Sequence, residues 1–417
     1  MQKNIFLYLF LLVSATTIAQ VMKVSIAPIG SEKFVMANYS LWLPDSVKPI
    51  RGILIHQHGC GPDAAEAGKT AAFDLQWRAL AKKWDFALLG SSYQVNNDNC
   101  GDWANPLNGS NRAFVEGIKQ LAKQTNHPEL NDAPWVIWGH SGGGNWAFEM
   151  MMLHQDKVLA LAIKSSGLSE VDSIKTNIPI FCIFGERESY DQFSNLWCGA
   201  IPQVKALFKR GYPIGFAVNP ISSHDCADSR SLFIPYIDEI IKLRLEGNTI
   251  KEIDYKDGVF GFLLNFDEIE TYQTIKKDYK NQYVWLPDKK FASKWQEFQK
   301  TGTIKDSTPP QYAPFKLTDV KSEKSITLKW DALSDIESGI ESFLVYRNNK
   351  LISEIKGAKH DLSFNNINYS DTPDAPLDEM KFVDNDVSKG KTYNYEIALK
   401  NRAGLVSPLS KVCTVKF

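Results

Sequence analysis

The chain of 417 residues is longer than the range over which one hydrophobic core usually keeps growing, so its length predicts two domains. Its composition, 44% hydrophobic and 23% charged, is that of an ordinary globular protein, and its formal net charge is -1. This balance argues against nucleic acid or an anionic membrane as a partner.

The N-terminus, residues 1–19, has the layout of a secretory signal peptide. Lys3 gives a positive start, an apolar run extends from Ile5 to Val13, and small residues lead to a predicted cleavage before Gln20. The apolar run is much shorter than the ~20 residues that span a bilayer. We therefore expect a secreted or periplasmic protein that is not inserted in a membrane after signal cleavage.

Export into an oxidising compartment allows the six cysteines to form disulfides. Four of them fall in predicted loops: Cys60, Cys100, Cys198 and Cys226. The other two lie in an apolar run, Cys182, and in a strand-like run near the C-terminus, Cys413. We expect the bonds Cys60–Cys100 and Cys198–Cys226, with the remaining two thiols reduced.

Residues 24–248 alternate between strand and helix patterns. Two strand-like runs, VSIAP and MANYSLWLP, predict an opening hairpin. Further strands are predicted at RGILIHQHG, FALLGSSY, APWVIWGHS, VLALAIKSSG, IPIFCIF and IGFAVNP. Helices are predicted at TAAFDLQWRALAKKW, RAFVEGIKQLAKQ, NWAFEMMMLHQ, QVKALFKRG and SLFIPYIDEIIKLRL. Apolar strands interleaved with helices indicate an α/β domain with a mostly parallel sheet covered on both faces.

Residues 249–306 are expected to form a connector packed on the first domain, with short extended pieces at FGFLLNF and YVWLP and a helix at FASKWQEFQKTG. The proline-rich run DSTPPQYAP predicts a hinge into the last region, residues 307–417. Short alternating strands predict an all-β sandwich there, at SITLKWDA, SFLVYRNNKLISEI, KFVDNDV, TYNYEIALKN and KVCTVKF.

The sandwich region resembles a fibronectin type III module. The resemblance rests on Trp330 in an early strand, on the run Tyr346-Arg347-Asn348, and on GKTYNYEIALKNRAG, where Tyr393 takes the place of the corner tyrosine of that family. It implies a fold rather than a function. Because Trp330, Phe343 and Tyr346 fit core positions better than an exposed aromatic row, we expect a spacer or an interaction module that contacts glycan or a surface.

The stretch WGHSGGGNW places Ser141 among glycines, between an apolar strand and a helix. A Gly-x-Ser-x-Gly sequence in that context is typical of a nucleophile elbow. The turn is so tight that Gly139 and Gly143 must lack side chains, and the following helix N-terminus favours negative charge at the serine. A phosphate loop is disfavoured because the Gly-Lys-Ser/Thr ending is missing. Ser141 is therefore the predicted nucleophile.

A serine nucleophile needs a base, and the base needs an acid to orient it. Of the seven histidines, only His224, in the loop SSHDC, lies beyond the elbow helix within the first domain. The acid is expected just past the preceding strand, in GERESYD, which offers Glu186, Glu188 and Asp191. The chain order nucleophile, acid, histidine is the one that this type of sheet uses.

Two backbone N–H groups must hold the oxyanion that forms during acyl transfer. Gly142, which follows the nucleophile, supplies one of them. His58-Gly59-Cys60-Gly61 resembles the HGGG-type motif of lipases and esterases, so Cys60 is the expected second donor. A Cys60–Cys100 bond would hold that loop in place.

Three aromatic residues near the predicted catalytic edge, Tyr93, Trp103 and Trp146, are expected to line an acyl or aromatic pocket, with core packing as the alternative for Trp146. His140 is expected to be a packed neighbour of the elbow.

His56 and His58 face one side of a predicted strand, and Asp63 and Glu66 lie nearby. They do not make a full ligand set at a known spacing, so we expect neither a metal nor another cofactor.

The elbow GHSGG, the loop HGCG, the acid loop and SSHDC occur in the order found in α/β-hydrolases, which residues 24 to about 245 resemble. Within that superfamily the chain is most similar to secreted esterases of the poly(3-hydroxybutyrate) depolymerase and feruloyl or acetyl esterase kind. The resemblance implies an eight-stranded, mostly parallel sheet, an acyl-serine mechanism and Glu188 as the acid. We expect a secreted serine esterase acting on a carbohydrate-linked acyl ester or a polyester, with a serine peptidase or an inactive binding protein as alternatives.

Overall fold

The computed structural model of this protein describes residues 21–45, 48–61, 68, 71–96, 99–169, 171, 174–175, 177–190, 194–356 and 380–417. Four of the expectations above lie outside these residues: the signal peptide, Asp63, Glu66 and Asp191.

The main sheet is built from the first eight strands, which are β1 Met22–Ile26, β2 Met36–Trp42, β3 Gly52–Gln57, β4 Phe86–Gln94, β5 Trp135–His140, β6 Val158–Lys164, β7 Ile180–Gly185 and β8 Ile214–Asn219. The helices of the described residues are α1 Leu75–Trp84, α2 Cys100–Ala104, α3 Ser110–Thr125, α4 Gly142–Leu153, α5 Ser194–Lys209, α6 Arg230–Arg244 and α7 Lys289–Thr301.

The eight strands lie in the order β1-β2-β4-β3-β5-β6-β7-β8. Only β2 runs against its neighbours; every pairing from β4 to β8 is parallel. This confirms the predicted mostly parallel sheet and the α/β-hydrolase fold. Strands β3, β5, β6 and β7 are buried along their whole length, which explains their continuous apolar runs. Their carboxyl ends meet at one edge of the sheet, where the predicted site residues follow.

Residues 245–301 cover the β8 side of this sheet. They form the short strands β9 Leu245–Glu246 and β10 Thr249–Ile250, then the antiparallel sheet of β11 Val259–Phe262, β12 Ile269–Thr271 and β13 Tyr283–Leu286, and end with α7. Trp295 of α7 donates its ring N–H to the carbonyl of Phe216 (2.8 Å), and Gln299 accepts from the amide of Val218 (2.5 Å). The otherwise open edge strand β8 is therefore hydrogen-bonded and covered.

The C-terminal region contains two antiparallel sheets, as predicted. One has the order β14-β15-β18 and the other β17-β16-β19-β20. The strands are β14 Phe315–Lys321, β15 Ile326–Asp331, β16 Ser342–Arg347, β17 Lys350–Lys356, β18 Lys381–Asp384, β19 Thr392–Lys400 and β20 Cys413–Lys416. Trp330 and Phe343 pack edge to face in the core (centroids 5.5 Å apart), whereas Tyr346 is only half-buried. The Tyr393 hydroxyl accepts a hydrogen bond from the Ser388 amide (2.9 Å), as a corner tyrosine does.

The loop between β15 and β16 is hydrogen-bonded to helix α1. The Gln76 side-chain amide donates to the carbonyl oxygens of Ile336 (3.0 Å) and Glu337 (3.3 Å), and the Ser334 amide donates to the carbonyl of Leu75 (3.2 Å). Within the described part of the chain, none of the helices has the length and apolarity that crossing a bilayer requires.

Candidate active site

Ser141 occupies the sharp turn between β5 and α4. Its backbone is in an unusual conformation, with φ 54° and ψ -124°, and its amide donates to the carbonyl of Lys164 at the end of β6 (3.0 Å). A side chain on Gly139 would overlap the backbone of Gly143, and one on Gly143 would overlap carbonyl oxygens at the end of β3. The glycines are therefore needed for close approach of backbone segments, as the elbow interpretation predicts.

Two more glycines of the elbow are limited by their neighbours. A side chain on Gly142 would overlap the sulfur atoms of both Cys60 and Cys100. One on Gly144 would come within 2.5 Å of Ser166 Cβ in the loop after β6, which gives this glycine a steric reason that the sequence did not reveal.

His224 lies over the carboxyl edge of the sheet, in the loop between β8 and α6. Its Nε2 atom is 2.8 Å from Ser141 Oγ, and the residue is only 3% exposed. The loop is packed on the end of β7, because a side chain on Gly185 would overlap the carbonyl oxygens of the preceding serines, Ser222 and Ser223. His140 Nε2 lies 2.7 Å from the backbone oxygen of His224. Since a carbonyl only accepts, His140 carries its proton on Nε2 and donates to that loop.

Glu188 lies in the 3-10 turn Glu186–Tyr190 that follows β7. Its Oε1 atom is 3.1 Å from His224 Nδ1, and the residue is fully buried. Glu186, by contrast, is exposed to solvent. An imidazole placed in this way can donate Nδ1–H to the carboxylate and accept the serine proton at Nε2.

A buried cation also lies beside this group, and the sequence reasoning missed it. Lys164, the last residue of β6, is fully buried, and its Nζ atom lies 3.7 Å from Glu188 Oε1. The same Nζ donates to Ser165 Oγ and to the carbonyl of Ser223 (3.4 Å). The available signal was a lysine closing the otherwise apolar run VLALAIK, since a lysine is almost never fully buried unless it is paired.

The loop after β3 lies against Ser141. A Cβ atom on Gly59 would sit 3.0 Å from Ser141 Cβ. The expected Cys60–Cys100 disulfide is formed, and both of its sulfurs contact Gly142. The two residues predicted to hold the oxyanion, Gly142 and Cys60, are thus neighbours in space.

The other predicted disulfide is wrong. Cys198 is a free thiol exposed on α5, whereas Cys226 is fully buried just before α6, so solvent reaches only one of the two sulfurs. Cys182 and Cys413 carry thiols, as expected.

Three buried histidines, His56, His58 and His140, lie near the elbow. Burial holds the pKa of His56 well below its ordinary value, and it does the same for His140, where His224 and Lys164 add to the effect. The His56 ring stacks on Trp138 at 4.6 Å and lies 5.9 Å from the ring of His58. In the part of the chain that the structure describes, no group of three or more His, Cys, Asp or Glu side chains could bind a metal ion.

The three aromatic residues expected to line a pocket are buried against one another instead. Tyr93 stacks on Trp103 (5.2 Å between centroids), and its hydroxyl is 3.0 Å from that of Tyr39. Trp146 is fully buried and donates its ring N–H to Ser110 Oγ (3.2 Å). This cluster belongs to the core, because α4 turns its apolar side inward immediately after the elbow.

No protein-family model matches the chain, and no curated protein matches its sequence. Among solved structures, a thermostable esterase is 19% identical over 48% of this chain and 54% of its own, with a TM-score of 0.36. The match thus spans about half of that esterase's length. Lipase A from Candida antarctica is 12% identical over 53% of this chain and 76% of its own (TM-score 0.36). An Fn3-like protein from Clostridium thermocellum is 19% identical over 26% of this chain and 94% of its own (TM-score 0.18). At these values the similarities assign no chemistry to this chain.

Proposed function

We propose that this protein is a secreted serine hydrolase that cleaves carboxylic esters through an acyl-enzyme. The observation that carries the proposal is the continuous contact from Ser141 Oγ to His224 Nε2 (2.8 Å) and from His224 Nδ1 to Glu188 Oε1 (3.1 Å), on a serine held at φ 54°. A strained elbow meeting a buried imidazole and carboxylate is expensive to build unless the serine is used.

In the proposed reaction His224 removes the proton of Ser141 as Oγ attacks the ester carbonyl. The amides of Gly142 and Cys60 stabilise the oxyanion, and the imidazolium then protonates the leaving alcohol. Water repeats the sequence on the acyl-serine and releases the acid. Glu188 stays ionised throughout, orients the ring and stabilises the imidazolium.

The substrate we propose is an acyl ester linked to a carbohydrate or a polyester, met outside the cytoplasm. The sequence resemblance to secreted depolymerases and feruloyl or acetyl esterases supports this choice, as does the signal peptide predicted for residues 1–19. In this proposal the sandwich region acts as a spacer or contacts glycan or another surface.

The test of the nucleophile is the variant Ser141→Ala, assayed with p-nitrophenyl acetate and labelled with a fluorophosphonate probe. We expect kcat to fall by at least about 10⁴-fold and labelling to disappear, because Ser141 is the group that carries the acyl in this proposal. A matched control is Ser169→Ala, which removes an exposed serine in the loop after β6 and should change neither readout.

Retained turnover or labelling in Ser141→Ala would refute the nucleophile. Peptide amides assayed beside short acyl esters distinguish the two enzyme classes, and faster amide cleavage would favour a peptidase. Absence of labelling in the native protein would favour an inactive binding protein.

A further inference from the structure

We propose that Lys164 is a positioning residue that keeps Glu188 ionised and thereby fixes the tautomer of His224. This inference rests on the proposed function, because it concerns the acid of the same triad. It is carried by the buried contact between Lys164 Nζ and Glu188 Oε1. The same Nζ also donates to the carbonyl of Ser223, in the loop that contains His224.

Burial of the Glu188 carboxylate is costly unless its charge is compensated. Glu188 is fully buried, and its Oε2 atom has no hydrogen-bond partner among the described residues. Its other oxygen, Oε1, meets only His224 and Lys164 among those residues. A carboxyl group in such surroundings favours its neutral form unless a cation is close. Lys164 is the cation that the fold supplies, 3.7 Å away and itself fully buried.

A neutral Glu188 would change the tautomer of His224. A protonated Glu188 can donate its hydroxyl proton to His224 Nδ1, which then acts as an acceptor. The ring proton would move to Nε2, the atom that faces Ser141. A protonated Nε2 cannot accept the serine proton. An ionised Glu188 can only accept, so it places the ring proton on Nδ1 and leaves Nε2 free to act as base.

Lys164 is also held by groups other than Glu188. Its side chain donates to Ser165 Oγ and to the carbonyl of Ser223, and its backbone carbonyl accepts from the Ser141 amide. The cation is thus fixed at a strand end that also fixes the nucleophile. Replacing the side chain removes the charge and leaves the backbone contact with Ser141 in place.

Among the described residues, the other titratable groups around the histidine do not replace this charge. The His140 ring, from β5, is centred 5.1 Å from that of His224, and burial holds its pKa well below the ordinary value, so it is neutral near pH 7. His58, which follows β3, acts on the pKa of His140 in the same direction. Asp225, on the loop of His224 itself, accepts from the amide of Ser223 and adds negative charge.

The first test is the pH profile of kcat/KM for Lys164→Met, with Lys157→Met as the matched control. Lys157 precedes the opposite end of the same strand, where it donates to the carbonyl of Asn131. In Lys164→Met we expect the lower-pH midpoint to rise by about 1 unit or more, because the buried cation 3.7 Å from the Glu188 carboxylate is gone. At pH values below the native midpoint kcat/KM should fall by roughly tenfold. Lys157→Met should keep the native midpoint, and an unchanged midpoint in folded Lys164→Met would overturn the proposal.

The second test needs no turnover, so it is independent of the proposed function. Urea unfolding at pH 7 is compared for the native protein, Lys164→Met, Glu188→Gln and the double variant. If the two charges support one another, each single change leaves a buried unpaired charge, and the double variant is less destabilised than the sum of the single changes. If Lys164→Met fails to fold, recovery of folding in the double variant gives the same answer. Additive losses, or a folding defect that Glu188→Gln does not relieve, would overturn the proposal.

Discussion

Two regions of this molecule can be compared through their buried carboxyl groups, which are partnered in opposite ways at the carboxyl edge of the sheet and at the entry to the sandwich region. At the carboxyl edge, Glu188 lies beside the cation of Lys164 and the ring of His224. At the junction between the connector (residues 249–306) and the sandwich region, Asp306 and Asp335 lie together. The side-chain amide of Asn401 donates to both carboxyl groups, at 2.8 Å and 2.7 Å.

The two regions differ in whether a carboxyl group lies beside a second carboxyl group or beside a cation. Burial raises the pKa of Asp335 to about 7, and the neighbouring Asp306 adds to that effect. Hydrogen bonds, led by the one from Ser338, lower the pKa of Asp306 although burial opposes them. The raised pKa of Asp335 thus favours a proton shared between the two carboxyl groups at the junction, whereas Glu188 lies beside the cation of Lys164.

Replacing a carboxyl group by an amide in each region should have very different effects on activity. Glu188→Gln replaces the acceptor with an amide that cannot stabilise an imidazolium, so we expect kcat on p-nitrophenyl acetate to fall by about 10³-fold or more. Asp335→Asn keeps the neutral form that the junction already holds and should leave kcat within about twofold of native. Similar losses in both variants would show that activity follows general stability and would count against the triad.

Close contacts of the backbone, as well as charges, hold the carboxyl edge of the sheet in place. Gly142→Ala places a methyl group on the sulfurs of Cys60 and Cys100, which must move away. We expect kcat to fall by about 10²-fold, the usual effect of disturbing one oxyanion donor. Gly167→Ala is the control, since a Cβ atom there meets nothing within 4 Å. Native kcat in Gly142→Ala would argue against a role of the neighbouring Cys60 loop in the reaction.

Much of the arrangement at the carboxyl edge of the sheet could be predicted because local sequence carries it. The elbow follows from glycines around Ser141, and His224 follows from its place between the last strand and the closing helix. The sheet follows from apolar runs such as β5 and β6, whose burial on both faces gives a strong pattern.

The misses depend on packing between distant segments, which no local pattern reveals. Lys164, at the end of β6, contacts Glu188, which follows the neighbouring strand β7. The sequence alone shows Lys164 only as a polar residue at the end of a strand. Tyr93 of β4 and Trp103 of α2 stack on each other in the core, which is a contact between two separate segments. The Asp306–Asp335 pair joins residues from the linker and a sandwich loop, and Asn401 adds a third segment.

The smallest predicted effect lies at the junction and concerns pH. The pKa of Asp335 is about 7 in the folded protein and near 3.8 in the unfolded chain, so the folded state holds an extra proton between those values. That contribution to stability is complete below about pH 4 and is lost as the pH rises through about 7. Thermal unfolding should therefore show the Tm falling from pH 5 to pH 8, and Asp335→Asn should reduce the fall by about 3 °C. Asp228, whose pKa burial raises to about 6, titrates in the same window and leaves part of the slope in the variant. Asp156→Asn, at an exposed site, is the control and should keep the native slope; an equal slope in Asp335→Asn would mean that the junction pair does not share a proton.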